Sequence, residues 1–257
     1  DETVSEEFEN TFQLSADQAV ADNLTEDAND MFMQVADEQG IAGGFAPGGP
    51  VVINDFIPCA TVTITPLSGF PKTIVIDFGT SCTDINGNVR SGKINITLSD
   101  SVRKSGSVAV MTFTNYFING FKIEGTHTWT NTSIAPGRSW THRAENGKIT
   151  APGGRYWTHS GLRTVVQTAG VATPTRIDDV FSITGNHTVT NSANISRDIT
   201  VLDALIKRTD CANISGGKLK VQGPNHYAVI DFGDAATCDN LATLSIDGRT
   251  PRVIVLR

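Results

Sequence analysis

Residues 59–82 read CATVTITPLSGFPKTIVIDFGTSC, and residues 211–238 read CANISGGKLKVQGPNHYAVIDFGDAATC. Both segments alternate apolar or β-branched residues with polar ones on either side of a turn that contains Pro and Gly. This pattern predicts a β-hairpin. Both segments also carry the word Val-Ile-Asp-Phe-Gly, followed shortly by a cysteine. We therefore expect one related hairpin near each end of a β-rich chain.

The four cysteines stand at the open ends of these two hairpins. No two of them have the Cys-x-x-Cys spacing of a zinc or redox site, and no His lies within a few residues of any of them. Folding each hairpin about its turn brings Cys59 near Cys82 and Cys211 almost opposite Cys238. This predicts one disulfide in each hairpin; four unpaired buried thiols are the alternative. Since disulfides persist in oxidising compartments, the pairing predicts an extracellular or outer cell-surface protein.

A second repeat lies in the middle of the chain. GFKIEGTHTWTNTS at 120–133 is echoed by DVFSITGNHTVTNS at 179–192, and SWTH at 139–142 is echoed by YWTH at 156–159. The copies are unevenly spaced, which excludes a regular solenoid. Residues 51–257 are therefore predicted to form an all-β domain with two related halves.

Short turn signals join the predicted strands. Four dipeptides have the composition that type I′ hairpin turns select: Asn86-Gly87, Asn119-Gly120, Asn146-Gly147 and Asp247-Gly248. Long strands joined by tight turns predict a mainly β fold, a large antiparallel twisted meander of long hairpins that is sandwich- or barrel-like. One N-terminal amphipathic helix completes the predicted fold.

Charge is divided unevenly along the chain. Residues 1–71 contain thirteen Asp and Glu and no Lys or Arg, whereas residues 72–257 contain fourteen acids and twenty bases. Opposite charges favour docking of the acidic segment on a basic body, of its own chain or of a neighbouring subunit. A solvated acidic leader is the alternative. Because the bases are scattered and the acidic segment would repel phosphate, a nucleic-acid partner is excluded.

The N-terminal region divides into three predicted parts. Residues 1–14 form an acidic arm, residues 15–39 form the amphipathic helix, and residues 40–50 form a Gly/Pro linker. The helix is predicted from a capping pattern at its start and from a stripe of apolar residues: Val20, Leu24, Ala28, Met31 and Val35. The arm carries four candidate assembly contacts: Val4, Phe8, Phe12 and Leu14. No apolar run in the sequence is long enough to span a bilayer.

Candidate catalytic and metal sites are few. Asp77 and Asp231 hold equivalent places in the two hairpins, as aspartates that bond a turn would. No nucleophile, zinc or phosphate-loop motif is present. His127 and His187 share a repeat register and would form a metal pair if they faced each other, but histidines on Thr-rich strands are more often surface residues. DINGN at 84–88 lacks the closing Glu of a calcium loop. The prediction is therefore a protein without catalytic activity, cofactor or metal.

The three tryptophans lie in the middle third of the chain. Trp129, Trp140 and Trp157 are predicted to be either core residues or an exposed platform for sugar rings. Trp140 and Trp157 alternate with Thr, Ser and His, which favours exposure of at least one of them.

Three segments carry a resemblance to a known family: CATVTITPLSGFPKTIVIDFGTSCTDINGNVRSGKINITL, FTNYFINGFKIEGTHTWTNTS and VIDFGDAATCDNLATLSIDG. With them, the chain resembles a family of uncharacterised secreted proteins and lipoproteins from Bacteroidota over most of residues 15–257. The resemblance implies export and placement on or outside the cell, and it supplies no catalytic residues.

These observations predict a non-enzymatic structural or adhesive protein. We expect a subunit of a fibre or surface layer that is linked through its acidic N-terminal arm, with copies of itself or other surface proteins as partners. The first alternative is a carbohydrate-binding surface protein that uses the tryptophans. The second is an enzyme whose site the sequence does not reveal.

Overall fold

The computed structural model describes residues 4–41, 59–173 and 176–256. The chain divides into two compact units: unit 1 comprises Asp1–Asp27 and Trp157–Arg257, and unit 2 comprises Ala28–Tyr156. All but the first two residues of the predicted linker at 40–50 lie outside the described residues.

One helix, α1, runs from Val4 to Glu38. The predicted boundary between an arm and a helix at residue 15 is wrong, because residues 4–14 are helical. No Gly or Pro interrupts this stretch, and Glu6 and Glu7 in the first turn favour the positive end of the helix dipole. Ser15 does not cap a helix; its hydroxyl donates to the carbonyl oxygen of Thr11 at 2.6 Å inside α1.

Burial of α1 extends beyond its apolar stripe. Leu24, Ala28, Met31 and Val35 are buried as predicted, whereas Val20 is half-buried. Several polar side chains of the same helix are buried as well: Asp17, Gln18, Asp22, Asn23, Thr25, Glu26 and Asp27. Buried polar groups require partners, and those of Asp22 and Asn23 lie in the β-rich part of unit 1.

Unit 2 is an antiparallel meander. Its strands are β1 (Thr61–Thr65), β2 (Lys72–Asp77), β3 (Cys82–Thr83), β4 (Val89–Leu98), β5 (Val108–Ile118), β6 (Phe121–Asn131) and β7 (Arg138–Thr150). They pair in the order β1-β2-β4-β5-β6-β7, and the short β3 pairs with β4.

Unit 1 repeats this plan. Its strands are β8 (Tyr156–Ala169), β9 (Val180–Asn191), β10 (Ser196–Arg208), β11 (Gly216–Gln222), β12 (Tyr227–Asp234), β13 (Leu241–Ile246) and β14 (Arg252–Val255). They pair in chain order. The predicted mainly β fold, an antiparallel meander of hairpins with one N-terminal helix, is thus confirmed. Among the described residues no pairing joins β1 to β7 or β8 to β14, so neither meander closes on itself.

One predicted turn is wrong. Asn146-Gly147 does not join two strands but lies inside β7, where Asn146 has a φ of 52°. The register between β6 and β7 shifts opposite this dipeptide, between Glu124 and Thr126. Positive φ serves a β-bulge as well as a type I′ turn, so the dipeptide alone does not distinguish the two.

The repeated Val-Ile-Asp-Phe-Gly segment places equivalent residues in the core of each unit. In β2 and just after it, Ile74, Ile76 and Phe78 are buried, and in β12 Ala228, Ile230 and Phe232 are buried. Each fully buried Ile or Phe contributes about 1.5–3 kcal/mol. The two hairpins therefore direct equivalent residues to the inner face of each meander.

Candidate functional site

Each repeated hairpin is closed by its own disulfide. Cys59 is bonded to Cys82 with 5.4 Å between their Cα atoms, and Cys211 is bonded to Cys238 with a separation of 5.1 Å. This is the pairing predicted from the hairpin pattern. Asp210 lies close to the second disulfide. Because both sulfurs there are bonded to each other, this group is not a metal site.

The aspartates of the repeated word bond turns, as predicted. Asp77 accepts a hydrogen bond from the backbone N–H of Gly79 at 2.9 Å, and Asp231 accepts one from Gly233 at 2.9 Å. A lysine hydrogen bond, from Lys93 at 2.7 Å, and the Gly79 N–H lower the pKa of Asp77. These carboxylates are therefore engaged in structural contacts.

Unit 1 contains a buried polar cluster where α1 meets β8 and β9. The guanidinium of Arg163 lies 2.7 Å from the carboxylate of Asp22, with both side chains 4% exposed. Gln18 donates to the same carboxylate oxygen at 2.6 Å. Arg163 also donates through Nε to Nδ1 of His187 at 3.1 Å. Since that nitrogen accepts, His187 is neutral and carries its proton on Nε2.

Burial perturbs the titration of this cluster. Burial raises the pKa of Asp22 against the opposing charge and hydrogen bond of Arg163. Burial and, to a smaller extent, repulsion from Arg163 lower the pKa of His159 to about 4. His159 is therefore neutral at pH 7, and its ring centroid lies 6.4 Å from that of His187. The cluster contains one positive guanidinium against one carboxylate, an arrangement that fixes the helix against the sheet.

Unit 2 contains the equivalent histidine pair. Nδ1 of His127 lies 3.0 Å from Nε2 of His142, and both rings are buried. The ring of Trp129 stacks on His142 with 4.3 Å between centroids. His127 and His187 were predicted to be surface residues; they are buried, and each has a second histidine of its own unit beside it. Within the described residues, no His, Asp or Glu group other than the one at the disulfide brings three metal-ligand atoms together.

The tryptophans are buried. Trp129 and Trp140 are 8% exposed and Trp157 is 1% exposed. The expectation that Trp140 or Trp157 is exposed is wrong, because each shares its strand face with a buried histidine two residues further on, His142 or His159. These three rings offer no platform for a sugar.

The start of α1 is fixed to unit 1 by its acidic residue Glu7. The Glu7 carboxylate accepts hydrogen bonds from the backbone N–H groups of Asn225 and His226, at 2.5 and 2.8 Å, and from the Asn225 amide at 2.7 Å. Burial opposes ionisation of this carboxyl, but these hydrogen bonds prevail and lower its pKa to about 2. Arg197 adds a bond through Nε to the hydroxyl of Thr11 at 2.8 Å.

The four candidate assembly contacts have different environments. Leu14 is fully buried, and Val4 is 65% exposed. The ring of Phe8 packs edge-on against His226 and under the guanidinium of Arg249, and Phe12 lies under Arg252. The first part of the acidic segment, in α1, thus docks on its own chain, one of the two arrangements that its charge predicted.

Among the described residues, the last strand of unit 1, β14, pairs with β13 alone and so presents an open edge. β14 pairs with β13 in a register that places Leu241 opposite Val255 and Thr243 opposite Val253. The N–H of Leu256 bonds the carbonyl of Asn240, and antiparallel ladders alternate, so the peptide groups of Val253 and Val255 face away from β13. Val253 and Val255 are also 66% and 60% exposed.

Sequence reasoning missed the contacts that join distant parts of the chain. Glu7 lies 218 residues from Asn225, and no motif connects them. The pair Asp22 and Arg163 likewise joins an acidic helix to a Thr-rich strand. The only signal for either was the charge division along the chain.

No helix within the described residues is both long and apolar enough to cross a membrane. Comparison with known proteins adds no relative: no family model, no curated protein and no solved structure matches the chain.

Proposed function

We propose that this protein is an exported, non-enzymatic structural subunit that assembles by pairing its edge strand β14 with β1 of a second copy. The observation that carries the proposal is the open edge at Val253 and Val255. The side chains of these residues are exposed, and within the described parts of the chain their outward peptide groups have no strand partner. Such an edge is a template for another strand.

From Val253 to Val255, β14 carries no charge, Pro or bulge, and its protection is limited to Arg252 at its start and to its length of four residues. Native proteins commonly place Lys, Pro or a bulge in an edge strand to prevent pairing with other molecules. The sequence of β14 is Arg-Val-Ile-Val, and its register with β13 is regular. Leu241 on the neighbouring strand is 43% exposed and faces Val255. The apolar surface therefore continues from the edge onto the sheet.

β1 is the complementary edge. Its sequence is Thr-Val-Thr-Ile-Thr, and among the described residues it pairs with β2 alone. Five β-branched residues favour an extended strand. Pairing two different edges is a heterologous contact, which repeats from copy to copy and builds an open fibre rather than a closed dimer.

The segment proposed to connect neighbouring copies differs from the N-terminal arm that the sequence predicted. Phe8, Phe12 and Leu14 contact or are buried by their own chain, so they are engaged within the subunit. The sheet edge is therefore the proposed connection between copies, and the first part of the acidic segment, up to Asp27, belongs to unit 1.

The extracellular setting is supported by the two disulfides, since such bonds persist in oxidising compartments. A disulfide across the open end of each repeated hairpin also suits a subunit that has to resist unfolding outside the cell. The carbohydrate-binding alternative requires exposed tryptophans, whereas all three are buried.

Light scattering and electron micrographs of the purified chain test the proposal. We expect filaments or large particles from the native protein, and monomers from the double variant Val253→Lys/Val255→Lys. The matched control is Leu162→Lys/Val166→Lys, which adds the same charge at exposed positions on β8, a strand that pairs with β9. A native protein that stays monomeric at high concentration, or equal assembly of both variants, contradicts the proposal.

A further inference from the structure

An open recess of about 360 Å³, a volume that includes the space open to solvent, lies on unit 1 between the start of α1 and the last hairpin. Phe8 and Phe12 line it from the helix, and Leu244 and Ile246 line it from β13. The two β13 side chains are almost fully buried, at 1% and 4% exposure. The recess therefore has an apolar floor.

Two arginines stand at the same recess. The guanidinium carbon of Arg249 lies 5.1 Å from the ring centroid of Phe8, and that of Arg252 lies 5.8 Å from the ring centroid of Phe12. A guanidinium that contacts an aromatic ring keeps its N–H donors in a planar fork, which matches the two oxygens of a carboxylate.

Neither arginine has a carboxylate within ion-pair distance in the part of the chain that the structure describes. Burial opposes ionisation of Asp247, but hydrogen bonds from Tyr227 and His226, with a smaller effect of the charge of Arg249, lower its pKa. The Asp247 carboxylate is already engaged, since it accepts from the backbone N–H of Tyr227 at 3.1 Å and contacts Nδ1 of His226 at 2.6 Å. Two cationic groups thus stand above an apolar floor with their charge available to an anion.

We propose that this recess binds a small organic acid, with the carboxylate on Arg249 and Arg252 and the apolar body on Leu244 and Ile246. The apolar floor selects against inorganic anions, and the two guanidinium groups select against neutral apolar molecules. Because few side chains line the recess and it is open on one side, the acid has few carbon atoms. Binding at this recess is an activity separate from assembly through the edge of β14.

Methyl NMR spectra of the full chain, titrated with sodium hexanoate, test the proposal. We expect saturable shifts of the Leu244 and Ile246 methyl signals. Hexan-1-ol, which lacks the charge, and sodium sulfate, which lacks the apolar body, should each bind at least tenfold more weakly. Equal binding of sulfate would show that the floor contributes nothing and would overturn the ligand class.

The variants Arg249→Gln and Arg252→Gln should each weaken hexanoate binding by tenfold or more. Arg143→Gln is the matched control, because Arg143 is an exposed arginine of β7 in unit 2 and should leave binding unchanged. If either Gln variant fails to fold, Arg249→Lys and Arg252→Lys retain the charge and should weaken binding through loss of the planar fork. Hexanoate that leaves both methyl signals unmoved, or binding that survives both substitutions, overturns the proposal.

The site can be tested separately from the assembly. Val253 and Val255 point to the opposite face of β14 from Arg252, so the dispersed variant Val253→Lys/Val255→Lys retains the recess. Hexanoate binding by this variant is expected to equal that of the native chain. Loss of hexanoate binding in this dispersed variant, with its Leu244 and Ile246 methyl signals otherwise unchanged, would contradict the placement of the site.

Discussion

Gly125 and Gly185 hold the same place in two related strands, and both adopt positive φ, 118° and 127°. A Cβ atom on Gly125 would lie 2.7 Å from the Cα of Gly147, and one on Gly185 would lie 2.3 Å from the carbonyl oxygen of Leu162. Each glycine precedes a buried histidine by two residues. The weak sequence repeat thus marks a shared positive-φ glycine at which a neighbouring strand lies close.

Substituting either glycine by alanine should destabilise its unit. We expect the free energy of unfolding to fall by about 1–3 kcal/mol for Gly125→Ala and for Gly185→Ala, because the backbone conformation is strained for alanine and the contact is too short. Urea unfolding measures the loss. Gly153→Ala is the control, since its Cβ would meet no atom within 4 Å. Equal stability of all three variants would show that neither the positive φ nor the close strand contact requires glycine.

Removal of either disulfide should lower the free energy of unfolding, and the two losses should be similar. The bonds join residues 23 and 27 positions apart, which corresponds to about 3 kcal/mol each in the chain-entropy description. We expect Cys59→Ser/Cys82→Ser and Cys211→Ser/Cys238→Ser to lower the Tm in calorimetry. Reducing agent should lower the Tm of the native chain and leave a variant lacking all four cysteines unaffected. Four free thiols in the unreduced native protein would contradict both bonds.

The buried pair of Arg163 and Asp22 predicts a non-additive mutant cycle. Arg163→Met leaves the buried carboxylate of Asp22 without its ion-pair partner and should lower the free energy of unfolding by about 3–5 kcal/mol. The double variant Arg163→Met/Asp22→Asn removes both charges, and the amide oxygen that replaces the carboxylate can still accept from Gln18. The double variant should therefore be more stable than Arg163→Met alone. Chemical unfolding of the native chain, both single variants and the double variant measures the coupling. Strict additivity would mean that the contact contributes nothing.

His159 predicts a pH dependence. Its pKa is about 4 in the folded state and 6.5 in the unfolded chain, so the unfolded chain binds more protons between these values. Its stability contribution is therefore complete above pH 6.5 and is lost as the pH falls towards 4, by about 3 kcal/mol in total. His159→Gln should show a shallower loss across this window in urea titrations at successive pH values. An unchanged slope would contradict burial of a neutral histidine.

The sequence predicted the elements that local patterns determine. The alternation around Ile74 and Ile230 predicted both hairpins, and their geometry predicted the cysteine pairing. Asn119-Gly120 was correctly predicted as a turn, but Asn146-Gly147, which meets the same conformational requirement, is a bulge because the chain continues along the same neighbour. Local composition indicates which backbone angles a residue can adopt, but it does not indicate which strand lies opposite that residue.

The rest of the site depends on contacts between distant residues. The helical start at Val4 and the burial of Asp22 follow from partners supplied by strands far along the chain, among them Arg163 and the turn at Asn225. A single sequence contains no local signal for such contacts. The burial of the tryptophans was unpredictable for the same reason, since it depends on what covers the strand face that Trp140 shares with His142 and Trp157 shares with His159.

Amide hydrogen exchange at β14 tests the central claim most directly. The claim is that the outward peptide groups of Val253 and Val255 pair with a strand of a second copy. We predict rapid exchange of both amides in dispersed protein and strong protection in assembled protein, with Ile254 protected by β13 in both states. Rapid exchange of Val253 and Val255 within intact assemblies would contradict the claim.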